Sequence, residues 1–190
     1  MQQCSEVLAD VFHCIPYFYT MHSEFSYTCT HCGEIHEGWP ALTFQSPADY
    51  FYLSDDDKAS MATLDPDFCV IAHPEQTDRF IRVTLTQRVN DHCENLEYGL
   101  WVSLSEKSFQ DYSDNYHNEE HKVSYFGWLA SELPDYDEWG SIPVTVYTRK
   151  GNQRPEIVPH GGTDHPFVRD YDEGITKAEA ARRVTAMIGE

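Results

Sequence analysis

The tightest constraint on the fold is a cadence of short alternating segments running through the middle and second half of the chain. In "RFIRVTLTQRV", Ile81, Val83 and Leu85 alternate with Arg82, Thr84 and Thr86, the two-residue period of a strand with one wet face. "GLWVSLS" repeats the pattern through Leu100, Val102 and Leu104, and "SIPVTVYT" through Ile142, Val144 and Val146. "DFCVIA" is a further short apolar run, and "RKGNQRPEIV" reads as a turn at Gly151-Asn152 leading into another strand. These segments lie too close together for helical crossovers between each pair, which predicts a mainly antiparallel sheet.

Helices are fewer. "YFGWLASELPDY" predicts a short one ending before Pro134, because the residue preceding proline is pushed out of the helical region. The clearest is the last: Thr176 and Glu179 form a capping box, Ile175 and Ala180 sit where a hydrophobic staple would, and Val184, Met187 and Ile188 supply an apolar stripe. The fold class expected is α+β, a mainly antiparallel sheet with a few helices, a zinc-knuckle-like N-terminal turn and a C-terminal helix. The chain of 190 residues is expected to form an N-terminal helical extension over 1–20 and one α+β domain over 21–190.

Within 1–20, Val7, Leu8, Val11, Phe12 and Ile15 recur at helical spacing, and Glu6, Asp10 and His13 interrupt any leader-like apolar run. No secretory leader and no membrane span are expected, since no apolar run approaches about 20 residues. Six cysteines at irregular spacing point to a reducing compartment, by default the cytoplasm.

Charge excludes one class of partner. Thirty-two acidic residues against thirteen basic ones leave a formal charge of −19, a field that repels nucleic acid, and Lys177 with Arg182-Arg183 is too small a basic cluster to reverse it. The acidity concentrates between Glu106 and Glu138, where aromatic residues interleave with carboxylates. Aromatic anchors inside a charged rim are the anatomy of a protein interface, and a solvated acidic face is the plain alternative. The candidate partner-binding residues are Asp111, Asp114, Glu119, Glu120, Trp128, Asp135, Tyr136, Asp137, Glu138 and Trp139.

"YTCTHCGEIHEGWP" carries the densest metal-binding chemistry. Cys29 and Cys32 have the spacing at which two thiolates reach one tetrahedral zinc ion from a tight turn, Gly33 permits a positive φ there, and His36 follows as a third donor. The fourth comes from elsewhere, among Cys69, Cys93, His92, His73 and His22, with Cys69 best placed at the start of a strand. Four protein ligands make a closed structural site; a water in the fourth position makes an open Lewis-acid site. "PHGGTDHPF" groups His160, Asp164 and His165, a set able to bind metal or act as acid and base, although a glycine-rich turn with a capping histidine accounts for it as well.

The order of "YTCTHCGEIH", "DFCVIA", "GLWVSLSEKSF", "YFGWLASELPDY", "RPEIV" and "DHPFVRDYDEGIT" resembles a bacterial family of unknown function, number 2199 among such domains, over about Tyr27 to Thr176. The resemblance implies a cytoplasmic bacterial protein with a zinc knuckle. Cys29, Cys32 and His36 match the family's cysteine-cysteine-histidine pattern, and Cys69 falls on a recurrent cysteine-bearing strand. It brings no activity. The chain departs from the family where "IRVTLTQRV" replaces a proline-containing strand end and where residues 1–20 are added.

Two classes of function remain. The first is an acidic cytoplasmic binding protein, most concretely an immunity protein that sterically blocks a secreted toxin, its partner a basic toxin domain bound one to one. The second is a zinc-dependent hydrolase with an open site at Cys29, Cys32 and His36 and a base such as His160 or His165. A zinc-stabilised adaptor is a further alternative.

Overall fold

The structure, a computed structural model, describes residues 26–28, 33–136, 141–150 and 153–188. The predicted helix within 1–20, His22, Cys29, His31, Cys32, the side chain of His36, the segment Asp137–Trp139 and the Gly151-Asn152 turn lie outside the described residues.

In chain order the elements are β1 (Ser26–Thr28), β2 (Ile35–Glu37), β3 (Leu42–Thr43), α1 (Ala48–Phe51), α2 (Asp55–Met61), β4 (Ala62–Leu64), β5 (Phe68–Ala72) and β6 (Thr77–Gln87). They continue with β7 (Leu96–Leu104), α3 (Glu106–Asp114), β8 (Ser124–Leu129), β9 (Pro143–Tyr147), β10 (Glu156–Pro159), α4 (Pro166–Glu173) and α5 (Lys177–Ile188). The α+β mixture is as expected.

The long hairpin β6–β7 organises the molecule, pairing antiparallel from Phe80↔Ser103 to Gln87↔Leu96. From β7 the sheet runs through β8, β9 and β10 and returns to β6, closing a five-stranded barrel. β6 serves two neighbours on one edge: its N-terminal half pairs with β5, and Thr84 further along meets Glu156 of β10. The closing β10–β6 contact and the β3–β7 contact are parallel and the other pairings antiparallel, so the sheet is mixed, with antiparallel pairing predominating as expected.

The barrel interior holds the apolar alternants read from the sequence. Ile81, Val83, Leu85, Leu100, Val102, Val144, Val146 and Ile157 are all fully buried, with Phe167 of α4 and Val184 of α5 packed against the same cluster. At about 25 cal/mol per Å² of apolar surface, burying each large side chain contributes roughly 1.5–3 kcal/mol, and this interior is the main stabilising term. The outer face of β6 and β7 is also covered: Phe80 and Trp101 form a second cluster with Cys69 and Ile71, roofed by Phe44, Tyr50, Leu53 and Met61. The wet face expected for β6 is therefore wrong at Arg82, which is 8% exposed.

The helix predicted over "YFGWLASELPDY" is a strand. Residues 124–129 form β8, with Tyr125 and Gly127 turned in and Phe126 and Trp128 turned out. Close approach explains the glycine: a Cβ at Gly127 would lie 2.8 Å from the Ser103 carbonyl oxygen.

The last helix was predicted correctly. The Glu179 amide donates to Thr176 Oγ1 at 3.2 Å, and Ile175, Ala180 and Val184 are buried, while Met187 is exposed. His165 caps α4, its Nδ1 accepting from the Phe167 amide at 3.1 Å, the capping role suggested by "PHGGTDHPF". Among the described residues no helix is long and apolar enough to cross a membrane.

Candidate functional site

The alternation of β8 pushes Trp128 out of the barrel, where it is 43% exposed, and the chain then runs through Ala130 to Leu133 past α1. The Ala48 amide donates to the Ala130 carbonyl at 2.8 Å, fixing α1 beside the end of β8. Between these walls opens a cleft of about 490 Å³. Trp128, Tyr52 and Leu53 supply apolar lining, Asp49 and Glu132 supply carboxylates, and Tyr136 and His165 lie deeper. Tyr52, 60% exposed, donates to Glu132 Oε2 at 2.5 Å; that hydrogen bond raises its phenol pKa above the ordinary value.

Tyr136 is held from below. Its hydroxyl donates to Asp170 Oδ2 at 2.7 Å and accepts from Arg183 Nη1 at 2.8 Å, and its ring meets Phe167 edge-on at 5.7 Å. Burial pushes its phenol pKa up despite the nearby arginine. Arg183, 3% exposed, also binds Asp170 Oδ2 at 2.6 Å, Glu179 Oε1 at 2.8 Å and the Tyr98 hydroxyl at 3.2 Å. A buried charge needs such complete pairing, so this cluster pins α4 and α5 to the base of the cleft.

Of the predicted partner-binding residues, Trp128 and Tyr136 both line the cleft. Asp135 is committed inward to Arg182 Nη2 at 2.8 Å, its side chain 11% exposed. Asp111, Asp114, Glu119 and Glu120 sit on α3 and the loop after it and do not line the cleft. Asp111 Oδ2 accepts from the Tyr125 hydroxyl at 2.7 Å and lies 3.0 Å from His121 Nε2; the Tyr125 bond is the main cause of its lowered carboxyl pKa. Asp114 takes the Gln110 amide at 2.7 Å, and Glu119 and Glu120 are exposed. Asp137, Glu138 and Trp139 lie outside the described residues.

The sequence reading missed Asp49 and Tyr52, and had Glu132 only as one carboxylate of the acidic segment Glu106–Glu138. "PADYFYLSDDD" carries the same interleaving of aromatics and carboxylates that singled out residues 106–138, so the signal was present. What was absent from sequence is the pairing of Tyr52 with Glu132, 80 positions apart.

For the metal reading, Thr28 of β1 pairs with Ile35 of β2, and Gly33 takes the positive φ, +74°, that was expected of it. Cys69 is fully buried in the cluster with Ile71, Phe80 and Trp101, and burial, with Asp49 and Asp65, pushes its thiol pKa up to about 12. Among the described residues no three His, Cys, Asp or Glu side chains gather to hold a metal ion. His160 Nε2 lies 2.9 Å from Thr145 Oγ1, and the cap on α4 commits Nδ1 of His165.

No curated protein and no solved structure matches the chain. The family described as "Uncharacterized protein conserved in bacteria (DUF2199)" matches residues 28–175, from the end of β1 to the residue before the cap of α5. With that match covering most of its length, and with the motif order noted above, the chain belongs to this bacterial family of unknown function.

Proposed function

We propose that the protein is an acidic cytoplasmic binding module, most concretely an immunity protein that occupies the basic active-site cleft of a bacterial toxin, one to one, and blocks it sterically. The observation that carries the reading is the cleft at the end of β8. Exposed Trp128 and Tyr52 stand beside Asp49 and Glu132 in a chain of charge −19. Aromatic anchors give contact area at low entropic cost, and the carboxylates select and steer a cationic partner. Lys and Arg side chains of the partner would enter between Asp49 and Glu132 and lay their stems on Trp128. Asp137, Glu138 and Trp139, which follow Tyr136 in sequence, belong to the partner-binding set in this reading.

The test is capture of partners from the protein's own bacterium at two salt concentrations, followed by binding of the purified partner to Trp128→Ala and Glu132→Lys. A one-to-one complex with a basic toxin domain is expected, weakened about tenfold or more by each change, since interface anchors cost 2 kcal/mol or more. A complex indifferent to both changes and to salt would rule the cleft out.

We propose in addition that Cys29, Cys32 and His36 bind a structural zinc ion. Substitution with cobalt tests this, because the intensity of the thiolate-to-metal band counts sulfur ligands. Three thiolates, falling to two in Cys69→Ala, would make Cys69 the fourth ligand; two thiolates in both proteins would leave Cys69 a core residue. No metal uptake would remove the zinc.

A further inference from the structure

We infer that the cleft at the end of β8 takes an arginine side chain of the partner in preference to a lysine, with Trp128 as the stacking surface and Asp49 and Glu132 as the charge partners. The inference rests on the binding-module reading above, which admits either cation, and narrows the partner's chemistry.

The cleft presents negative charge with no countercharge of its own. Asp49 and Glu132 line it, and no lysine or arginine does. Asp49 is exposed and, among the described residues, makes no hydrogen bond or ion pair. Glu132 takes the Tyr52 hydroxyl at Oε2 and, among the described residues, meets no cation. The basic groups beside the walls are committed elsewhere. Lys58 of α2 donates to the Phe51 carbonyl at 3.2 Å and sits 5.4 Å from the centre of the Tyr50 ring. Arg183, behind Tyr136, is matched by Asp170 and Glu179. A cation entering the cleft therefore answers an unmet charge and displaces no existing ion pair.

Lysine and arginine both satisfy that charge; the walls and the geometry separate them. Beyond the carboxylates the lining is largely apolar, with Leu53, Leu129, Leu133 and Ile142. An ammonium is compact and strongly hydrated, and stripping its water in such a cleft is costly. A guanidinium is more weakly hydrated, stacks on aromatic rings, and carries five donors in one plane. Trp128 offers the ring: it is 43% exposed, and Phe126 braces the indole edge-on at 5.2 Å. Glu132 is fixed by the bond from Tyr52, which leaves Oε1 for an incoming donor. Asp49 stands on α1, which the Ala48 amide ties to the Ala130 carbonyl, two residues before Glu132. Acceptors held on two separate walls suit a rigid planar group with donors on several edges. A point charge on a flexible stem gains less from them.

The test is an NMR titration of the full chain at fixed ionic strength, following the indole Nε1–H resonance of Trp128. Three probes are added separately: N-acetyl-arginine methylamide, its lysine counterpart, and its citrulline counterpart, which keeps the flat end of arginine without the charge. The arginine probe should shift the resonance saturably, the lysine probe should bind at least about fivefold more weakly, and the citrulline probe should not bind. Glu132→Gln, which keeps an oxygen for Tyr52, and Asp49→Asn, at an exposed position, should each weaken the arginine probe about tenfold. The inference is overturned if the arginine probe leaves the resonance unmoved or moves it without saturating. It is equally overturned if lysine or citrulline matches arginine, or if both variants bind as the parent does. The partner complex tells the two readings apart. If it weakens with Trp128→Ala and Glu132→Lys while the probes show no arginine preference, only that preference falls. If the arginine probe binds as expected and the complex ignores both changes, the partner does not dock at the cleft and the broader reading falls instead.

Discussion

Arg183 illustrates how a single side chain decides the arrangement of several elements. Its nitrogens reach Asp170 on α4, Glu179 on its own helix, Tyr98 on β7 and Tyr136 at the cleft. Replacing it with Met leaves the partly buried Asp170 and the two hydroxyls without their cation, and should cost about 2–3 kcal/mol in urea unfolding. The pair Arg182-Arg183 was legible only as a small surface basic patch, because two of the groups that meet Arg183, Tyr98 and Tyr136, lie 85 and 47 positions away. The capping box was legible, since it is local. Glu179 nevertheless sends its carboxylate to Arg182 and Arg183, and the bond from Arg182 leads in lowering its pKa from 4.5 to about 2. A depressed carboxyl stabilises the fold above its unfolded value near 4.3, and that contribution drains away as pH falls toward about 2. Glu179→Gln should therefore lower stability by about 1–2 kcal/mol at pH 7. The gap to the parent should close between pH 4.5 and pH 2 in thermal unfolding, and a gap constant with pH would detach the effect from ionisation.

At the level of elements, strands with a pure apolar alternation were readable and β8 was not. Its segment "YFGWLA" is nearly all apolar, so a two-residue and a helical period fit it equally well, and the proline downstream tipped the reading toward a helix. The deciding fact is non-local: Gly127 presses against the Ser103 carbonyl of β7. Gly127→Ala should cost about 1–3 kcal/mol through that contact, measurable by chemical denaturation, whereas Trp128→Ala one position on should stay within about 0.5 kcal/mol and act on partner binding alone. Helix α3 escaped notice because its charged residues were read as a docking surface, while Tyr112 on its inner side packs into the barrel cluster. The parallel contacts β3–β7 and β10–β6 join segments dozens of residues apart, and nothing in local pattern encodes them.

For the whole molecule, the net charge of −19 acts at long range. Association with a cationic partner should slow about tenfold or more between low and moderate salt while dissociation changes little, as stopped-flow mixing would record. Composition disclosed this field but not how its few cations are held: Arg154 is paired with Asp67, 87 positions earlier, a contact made only through the fold. The barrel's closure also bears on how the chain is made. The Thr84 amide finds its acceptor in the Pro155 carbonyl, 71 positions later. At ribosomal speeds of about 5–20 residues per second, that interval lasts roughly four to fourteen seconds. Throughout it, the C-terminal half of β6 is a nascent, unpaired edge, and early synthesis is when this protein is most exposed to strand addition by a neighbour.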